Sequence, residues 1–298
     1  MAGIWWLASY PKSGNTWLRA VIASLVSGRA ADINSLDVLG SNAIYRFGFD
    51  DGLGIESAAL SFEQVTNLRP RAYEVWAAEA AEPIYCKTHD AYRATPAGEP
   101  LFPAAATRGA VYVVRDPRAV AVSFSHHSAR PLDETIARMD DPHAVFGRAA
   151  GQLYQQIHEQ LYRWSDHVES WLAAPFPVHV LRFEDMHADP AGAFAGVARF
   201  LGLPCDPERI ALAVESTAFF RLQAQERATG FREKPYKAEA FFREGSVEGW
   251  RRVLTAEQAT RIAAAHGAVM QRLGYDLRLA PSGEASDAEQ RPAAHLTA

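Results

Sequence analysis

The sequence predicts an α/β protein of three layers, α/β/α, with a central and mostly parallel sheet. Two observations lead there. Short apolar runs at Ile4–Ser9, Ile84–Thr88, 110–115 and 178–183 are rich in β-branched and aromatic residues and do not alternate with polar ones, as expected of strands buried on both faces. Between them lie segments with helical spacing, and strands alternating with helices build a parallel sheet covered on both sides.

The helices follow in order. Trp17, Val21 and Leu25 recur every four positions up to Gly28, a glycine C-cap. Residues 119–127 make a second, shorter helix. Residues 143–171 predict a long one, with Phe146, Leu153, Ile157, Leu161, Trp164, Val168 and Trp171 near one face. A helix over 191–201 stops at Gly202 and Pro204, and one over 255–273 closes the ordered part before Gly274. Residues 32–61 and 229–249 escape this pattern, and long irregular stretches inside a compact domain are lids or binding loops. Residues 1–279 read as one domain, and the Ala, Ser, Glu, Gln and Pro composition of 280–298 as a disordered tail.

Composition narrows the function. With 298 residues, 48% of them hydrophobic, the chain buries a sizeable core. A net charge of −5 argues against a nucleic-acid or anionic-membrane partner, so any anion site is local. Cys86 and Cys205 are far apart, lack metal-ligand spacing and read as two buried thiols. The start has no basic n-region and 4–9 is too short for a signal or span, which predicts a cytoplasmic protein.

Three places carry chemistry. The first strand runs into Tyr10-Pro11-Lys12-Ser13-Gly14-Asn15-Thr16 and directly into a helix. Such a turn aims backbone N–H groups and the positive end of the helix at one point, where phosphate oxygens are favoured. Lys12 adds charge, Gly14 permits close approach, and Ser13 and Thr16 offer hydroxyls. A Walker A loop does not fit, because lysine precedes the only glycine by two residues.

A second strand-to-helix transition is Arg115-Asp116-Pro117-Arg118, with Asp116 as N-cap, Pro117 in the first turn and Ser123 about two turns on. Arg115 offers a planar fork suited to phosphate. Third, His89 lies at the carboxyl end of the strand Ile84–Thr88, the edge where open α/β sheets bind ligands, with Lys87 on the same side. His126 and His127, at the end of the helix with Ser123, read as structural or peripheral.

These residues resemble a known family. Tyr-Pro-Lys-Ser-Gly-Asn-Thr-Trp at 10–17 is similar to the 5′-phosphosulfate loop of the cytosolic sulfotransferases, which move a sulfuryl group from 3′-phosphoadenosine 5′-phosphosulfate (PAPS) to a hydroxyl. The segment from Tyr112 to Ser123 resembles their 3′-phosphate motif, and Lys87-Thr88-His89 their catalytic segment. The resemblance implies a P-loop NTPase-like sulfotransferase fold, PAPS as donor and no metal in transfer. It implies that Lys12, Ser13, Gly14, Asn15 and Thr16 cradle the 5′-phosphate, that Trp17 stacks on adenine, and that Arg115 and Ser123 bind the 3′-phosphate. His89 becomes the general base, with Lys12 and Lys87 stabilising charge on the departing phosphate oxygen.

Towards the C-terminus the likeness thins. Thr217 and Phe219 match the adenine-side segment, and Arg243 and Gly245 match a loop that folds over the 3′-phosphate. Glu244 replaces the usual lysine there, so Arg251 or Arg252 compensates or Glu244 turns outward. Arg182-Phe183 replaces an aromatic pair. In the dimerisation motif Arg251 and Thr255 fit but Ala256 and Thr260 do not, which leaves a homodimer open. Tyr45, Phe47, Phe49, Phe62, Tyr236 and Phe241 in the irregular regions point to an apolar or ring-bearing acceptor among phenols, alcohols and natural products. An ATP-dependent kinase would want Gly-Lys-Ser or Gly-Lys-Thr and a strand-ending carboxylate for magnesium. A nucleotide-binding regulatory protein would predict loss of His89 or Lys12.

Overall fold

Five parallel strands in the order β2-β3-β1-β4-β7 form the central sheet of the computed structural model, which describes residues 2–36, 40–147, 156–236 and 238–278. In chain order the elements are β1 (Ile4–Ser9), α1 (Asn15–Ser27), β2 (Gly40–Asn42), α2 (Arg46–Leu53), α3 (Phe62–Glu79), β3 (Ile84–Thr88), β4 (Thr107–Val114), α4 (Pro117–Ser128) and α5 (Leu132–Met139). Then come β5 (Val145–Phe146), β6 (Glu159–Gln160), α6 (Trp164–Leu172), β7 (Val178–Arg182), α7 (Phe183–Ala188), α8 (Pro190–Leu201), α9 (Pro207–Ser216), α10 (Phe219–Thr229) and α11 (Ala256–Arg272).

Side-chain alternation along β1 divides the core in two. Ile4, Trp6 and Ala8 face a cluster built with α3, α4, α5, α6 and α11, whereas Trp5 and Leu7 face one built with α1, α7, α8 and α9. All six residues of β1 are buried, which is why the strand reads as continuously apolar. The three layers predicted from sequence are present.

Local signals act as expected at several ends. Gly28 and Gly202 close α1 and α8 in the left-handed conformation, and Asp116 caps α4 by accepting from the Arg118 N–H.

Two expectations are corrected. Residues 143–171 are not one helix: Val145–Phe146 pairs antiparallel with Glu159–Gln160, and only Trp164–Leu172 is helical, while 148–155 lie outside the described residues. Among the described residues, the apolar positions there belong to a short antiparallel strand pair and its flanks and to a separate helix that buries Trp164, Val168 and Trp171. Cys86 is buried, but Cys205 is exposed after α8. The proposed tail, 280–298, lies outside the described residues.

Because all five strands run parallel, β1, β3, β4 and β7 end at one edge. β1 sits centrally, with β3 on one side and β4 on the other, so the chain reverses its direction of winding around it. This is the switch point at which such sheets bind ligands.

Candidate active site

A cavity of about 970 Å³ opens at that edge. Residues following three strands line it: Lys12 after β1, His89 after β3 and Arg115 after β4. Among the described lining residues, Lys12, Lys87, Arg115, Arg232, Lys234 and Arg243 face only Glu233 and Glu244, so an acidic chain carries a basic pocket.

The loop after β1 is shaped to receive an anion. Gly14 has φ +109°, and a Cβ there would lie 2.7 Å from the Phe183 ring, so only glycine fits. Lys12 itself adopts φ +70°, an uncommon state for a residue with a side chain. Helix α1 begins without a side-chain cap and without an acidic residue in its first turn, which leaves its N-terminal dipole uncompensated. Asn15 donates to the Leu7 carbonyl and the Ser9 hydroxyl at 2.8 and 3.2 Å, bracing the end of β1.

Among the described residues, Lys12 and Arg115 form no ion pair, whereas Lys87 and Arg243 meet Glu233 and Glu244. Lys12 reaches His127 Nδ1 at 3.3 Å and lies 4.0 Å from the Phe241 ring centre. Burial, with Arg115 and Lys87 nearby, pulls its pKa down to about 7. Arg115 donates to the carbonyls of Lys12 and Ser246 at 3.1 and 2.9 Å and stacks 4.1 Å above Phe183. Its Nε and the Ser13 hydroxyl are buried without a partner. An orphaned donor costs roughly 1–3 kcal/mol, and that of Arg115, which lines the cavity, fits a phosphate-bearing ligand.

His89 is oriented for base chemistry. Its Nδ1 lies 2.7 Å from the Ser9 carbonyl oxygen, which only accepts, so Nδ1 carries the proton and Nε2 the lone pair. Burial first, and Lys87 second, hold its pKa well below 6.5. Beneath it lies a polar network: the Glu159 carboxylate accepts the His89 backbone N–H, His167 Nε2 donates to the His89 carbonyl at 3.0 Å, and Arg69 binds Asp90 at 2.6 Å. Burial and Asp90 raise Glu159 to about 7.

Of the residues expected from sequence, Lys12, Gly14, Asn15, Thr16, Trp17, Lys87, His89, Arg115, Ser123, Phe219, Arg243 and Gly245 line this one cavity. Ser13 and Thr217 lie behind its wall. Thr217 holds the Trp17 indole N–H at 3.2 Å, and Trp17 packs edge-on against Phe183, His187 and Phe194. Phe219 covers Gly245, where a Cβ would come within 2.6 Å of the ring. Glu244 pairs with Arg243 and Arg252, whereas Arg251 pairs with Glu248.

Other residues differ from expectation. His127 is no bystander: it lines the cavity between Lys12, Phe146 and Phe241. Tyr45, Tyr236 and Phe241 line the wall, but Phe49 is core and Phe47 and Phe62 are exposed outside it. Glu233, Glu159 and Arg19 carry no local signal in the sequence, since each meets partners far along the chain.

Fold and site define an α/β protein with a basic, anion-receptive cavity beside a non-Walker loop. The chain belongs to the sulfotransferase family, matching its Sulfotransferase domain over residues 4–274. It is 26% identical over 271 residues to flavonol 3-sulfotransferase of Flaveria bidentis, covering 86% of this chain and 78% of that one. It is 23% identical to cytosolic sulfotransferase 17 of Arabidopsis thaliana, covering 86% and 71%. In fold it resembles mouse sulfotransferase SULT7A1 complexed with PAP, with a TM-score of 0.57 at 17% identity over 91% of this chain and 86% of that one. Retinol dehydratase in complex with androsterone and inactive cofactor PAP superposes with a TM-score of 0.59 at 21% identity, covering 94% and 83%. The chain is thus an enzyme of sulfuryl transfer from PAPS to a small-molecule hydroxyl. No helix among the described residues is long and apolar enough to cross a membrane.

Proposed function

We propose that this enzyme sulfates a ring-bearing hydroxyl compound in the cytoplasm, with His89 as general base. The supporting observation is that His89 Nε2, Lys87 and Lys12 share one cavity with the aromatic side chains Tyr45, Phe146, Tyr236 and Phe241. Arg115 and Ser123 bind the 3′-phosphate, and Ser13 to Thr16 with the uncapped start of α1 bind the 5′-phosphate. Trp17 and Phe219 flank adenine, with Thr217 fixing the Trp17 ring. Arg243 and Gly245 close the nucleotide side.

His89 Nε2 takes the acceptor proton as the oxygen attacks sulfur in line. Its lowered pKa keeps it unprotonated at neutral pH. Lys12 stabilises charge on the departing phosphate oxygen, and Lys87 assists at the sulfonate end of the donor, both without rearranging.

The test is a screen with radiolabelled PAPS over phenols, aliphatic alcohols, sugars and polycyclic hydroxyl compounds. Transfer to phenols or polycyclic compounds is expected. Transfer confined to sugars or open-chain alcohols would overturn the acceptor assignment.

A further inference from the structure

Lys87 does not hang free in the cavity. Its ammonium donates to Glu233 Oε2 at 3.0 Å, and the same oxygen accepts from Arg19 Nη1 at 2.9 Å. Arg19 Nη2 meets Glu233 Oε1 at 2.7 Å, so the carboxylate is gripped at both oxygens. Three segments converge here: α1, which starts at the loop after β1; β3, which leads into His89; and the loop after α10, which carries Glu233. Arg19 is buried outside the cavity wall, whereas Glu233 and Lys87 are part of it.

The charge balance matters. Two cations share one carboxylate, so one positive charge remains for an anion. The geometry matters as well. A lysine ammonium on a four-carbon stem has several rotamers and three donors. Binding one donor to a fixed carboxylate selects a rotamer and leaves two donors for a ligand. Lys12 has no such partner and rests on an imidazole and an aromatic ring.

A purely structural tether would explain Glu233 only if its loop needed it. The loop is anchored independently: the Arg232 N–H donates to Asn34 at 2.9 Å, Asn34 donates to the Gly230 carbonyl at 3.0 Å, and Glu226 accepts the N–H groups of Phe241 and Phe242 at 2.7 and 2.9 Å.

We propose that Glu233, backed by Arg19, is a positioning residue for sulfuryl transfer that fixes the Lys87 ammonium beside His89 and directs its free N–H groups at the transferring sulfonate. The proposal rests on the reading of Lys87 as a site lysine. In the step it serves, the bond between sulfur and the phosphate oxygen breaks, the bond between sulfur and the acceptor oxygen forms, and the acceptor proton passes to His89 Nε2. The electron pair leaves on the phosphate of PAP.

The variant Glu233→Gln keeps the shape and loses the charge. With labelled PAPS and any acceptor found by the screen, kcat should fall roughly tenfold or more. The Kd for PAP, which has no sulfonate, should stay within about twofold, because the phosphate contacts are separate. Lys87→Ala combined with Glu233→Gln should be no slower than Lys87→Ala alone, since both remove one interaction. A kcat within about twofold of the parent, an equal weakening of PAP binding, or losses that multiply in the double variant would each overturn the proposal. Loss of PAP binding on heating profiles that show unfolding at assay temperature would assign Glu233 to the scaffold and refute it. A parent chain that binds PAP but transfers sulfate to no acceptor, or a fully active Lys87→Ala, would instead bring down the reading beneath it.

Discussion

The imidazole Nδ1–H of His89 donates to the backbone carbonyl of Ser9 at 2.7 Å, joining the end of β3 to the residue that opens the phosphate loop. The Ser9 hydroxyl lies 3.2 Å from the same nitrogen and also takes a donor from Asn15 at the start of α1. The proposed base and the donor loop therefore share one hydrogen-bonded unit. Any displacement of the loop that moves Ser9 carries the imidazole with it.

Lys12 gives the first prediction. Its pKa in the free cavity is about 7, lowered by burial and by Arg115 and Lys87. Phosphate at the loop favours the charged form and raises it again. PAP binding above neutral pH should take up a proton, with affinity falling by up to about tenfold per unit as pH rises from about 7 to 9. Titration calorimetry in buffers of different ionisation enthalpy measures that proton. Lys12→Met should abolish the uptake, and uptake unchanged in that variant would assign it to another group.

Arg115 carries a different specificity. With no carboxylate on its fork and an orphaned Nε, it suits the 3′-phosphate. Arg115→Ala should weaken PAP by roughly 10- to 100-fold while leaving adenosine 5′-monophosphate, which lacks that group, nearly unaffected. Equal losses for both nucleotides in competition binding would place the arginine elsewhere.

Stability should depend on buried imidazoles. Burial holds His89 well below 6.5 and lowers His167 and His266 to about 4. Below pH 6.5 the unfolded chain takes up protons that the native state refuses, so stability present above that value is lost as pH falls towards 4. His167 alone accounts for on the order of 3 kcal/mol at the end of that range. Glu159, raised to about 7, acts in the opposite sense above 4.5 and offsets part of the loss. Thermal unfolding should show Tm falling by several degrees from pH 7 to 5, at about 2–4 °C per kcal/mol. A flat profile would contradict the buried, neutral assignment.

Much of the cavity lining is legible in the sequence because its information is local. The loop from Tyr10 to Trp17, the pair Arg115 and Ser123, and Lys87 with His89 each lie within one strand-turn-helix or strand end, where spacing fixes geometry. The strands β1 and β4 are visible because burial on both faces leaves largely uninterrupted apolar runs. By contrast, β2 has three residues and β5 and β6 have two each, too few to set a period. The meeting of Arg19, Lys87 and Glu233 is a product of tertiary packing across three distant segments. His127 reads as peripheral in sequence because nothing local shows that α4 ends against Lys12 and Phe241.

The most direct test is His89→Ala, assayed for sulfuryl transfer from labelled PAPS and, in parallel, for PAP binding. The predicted result is turnover reduced by at least about 100-fold with PAP affinity within about threefold of the parent, because the imidazole supplies base catalysis and touches no phosphate. Retained turnover, or a loss of PAP affinity as large as the loss of rate, would contradict the assignment of His89 as the base.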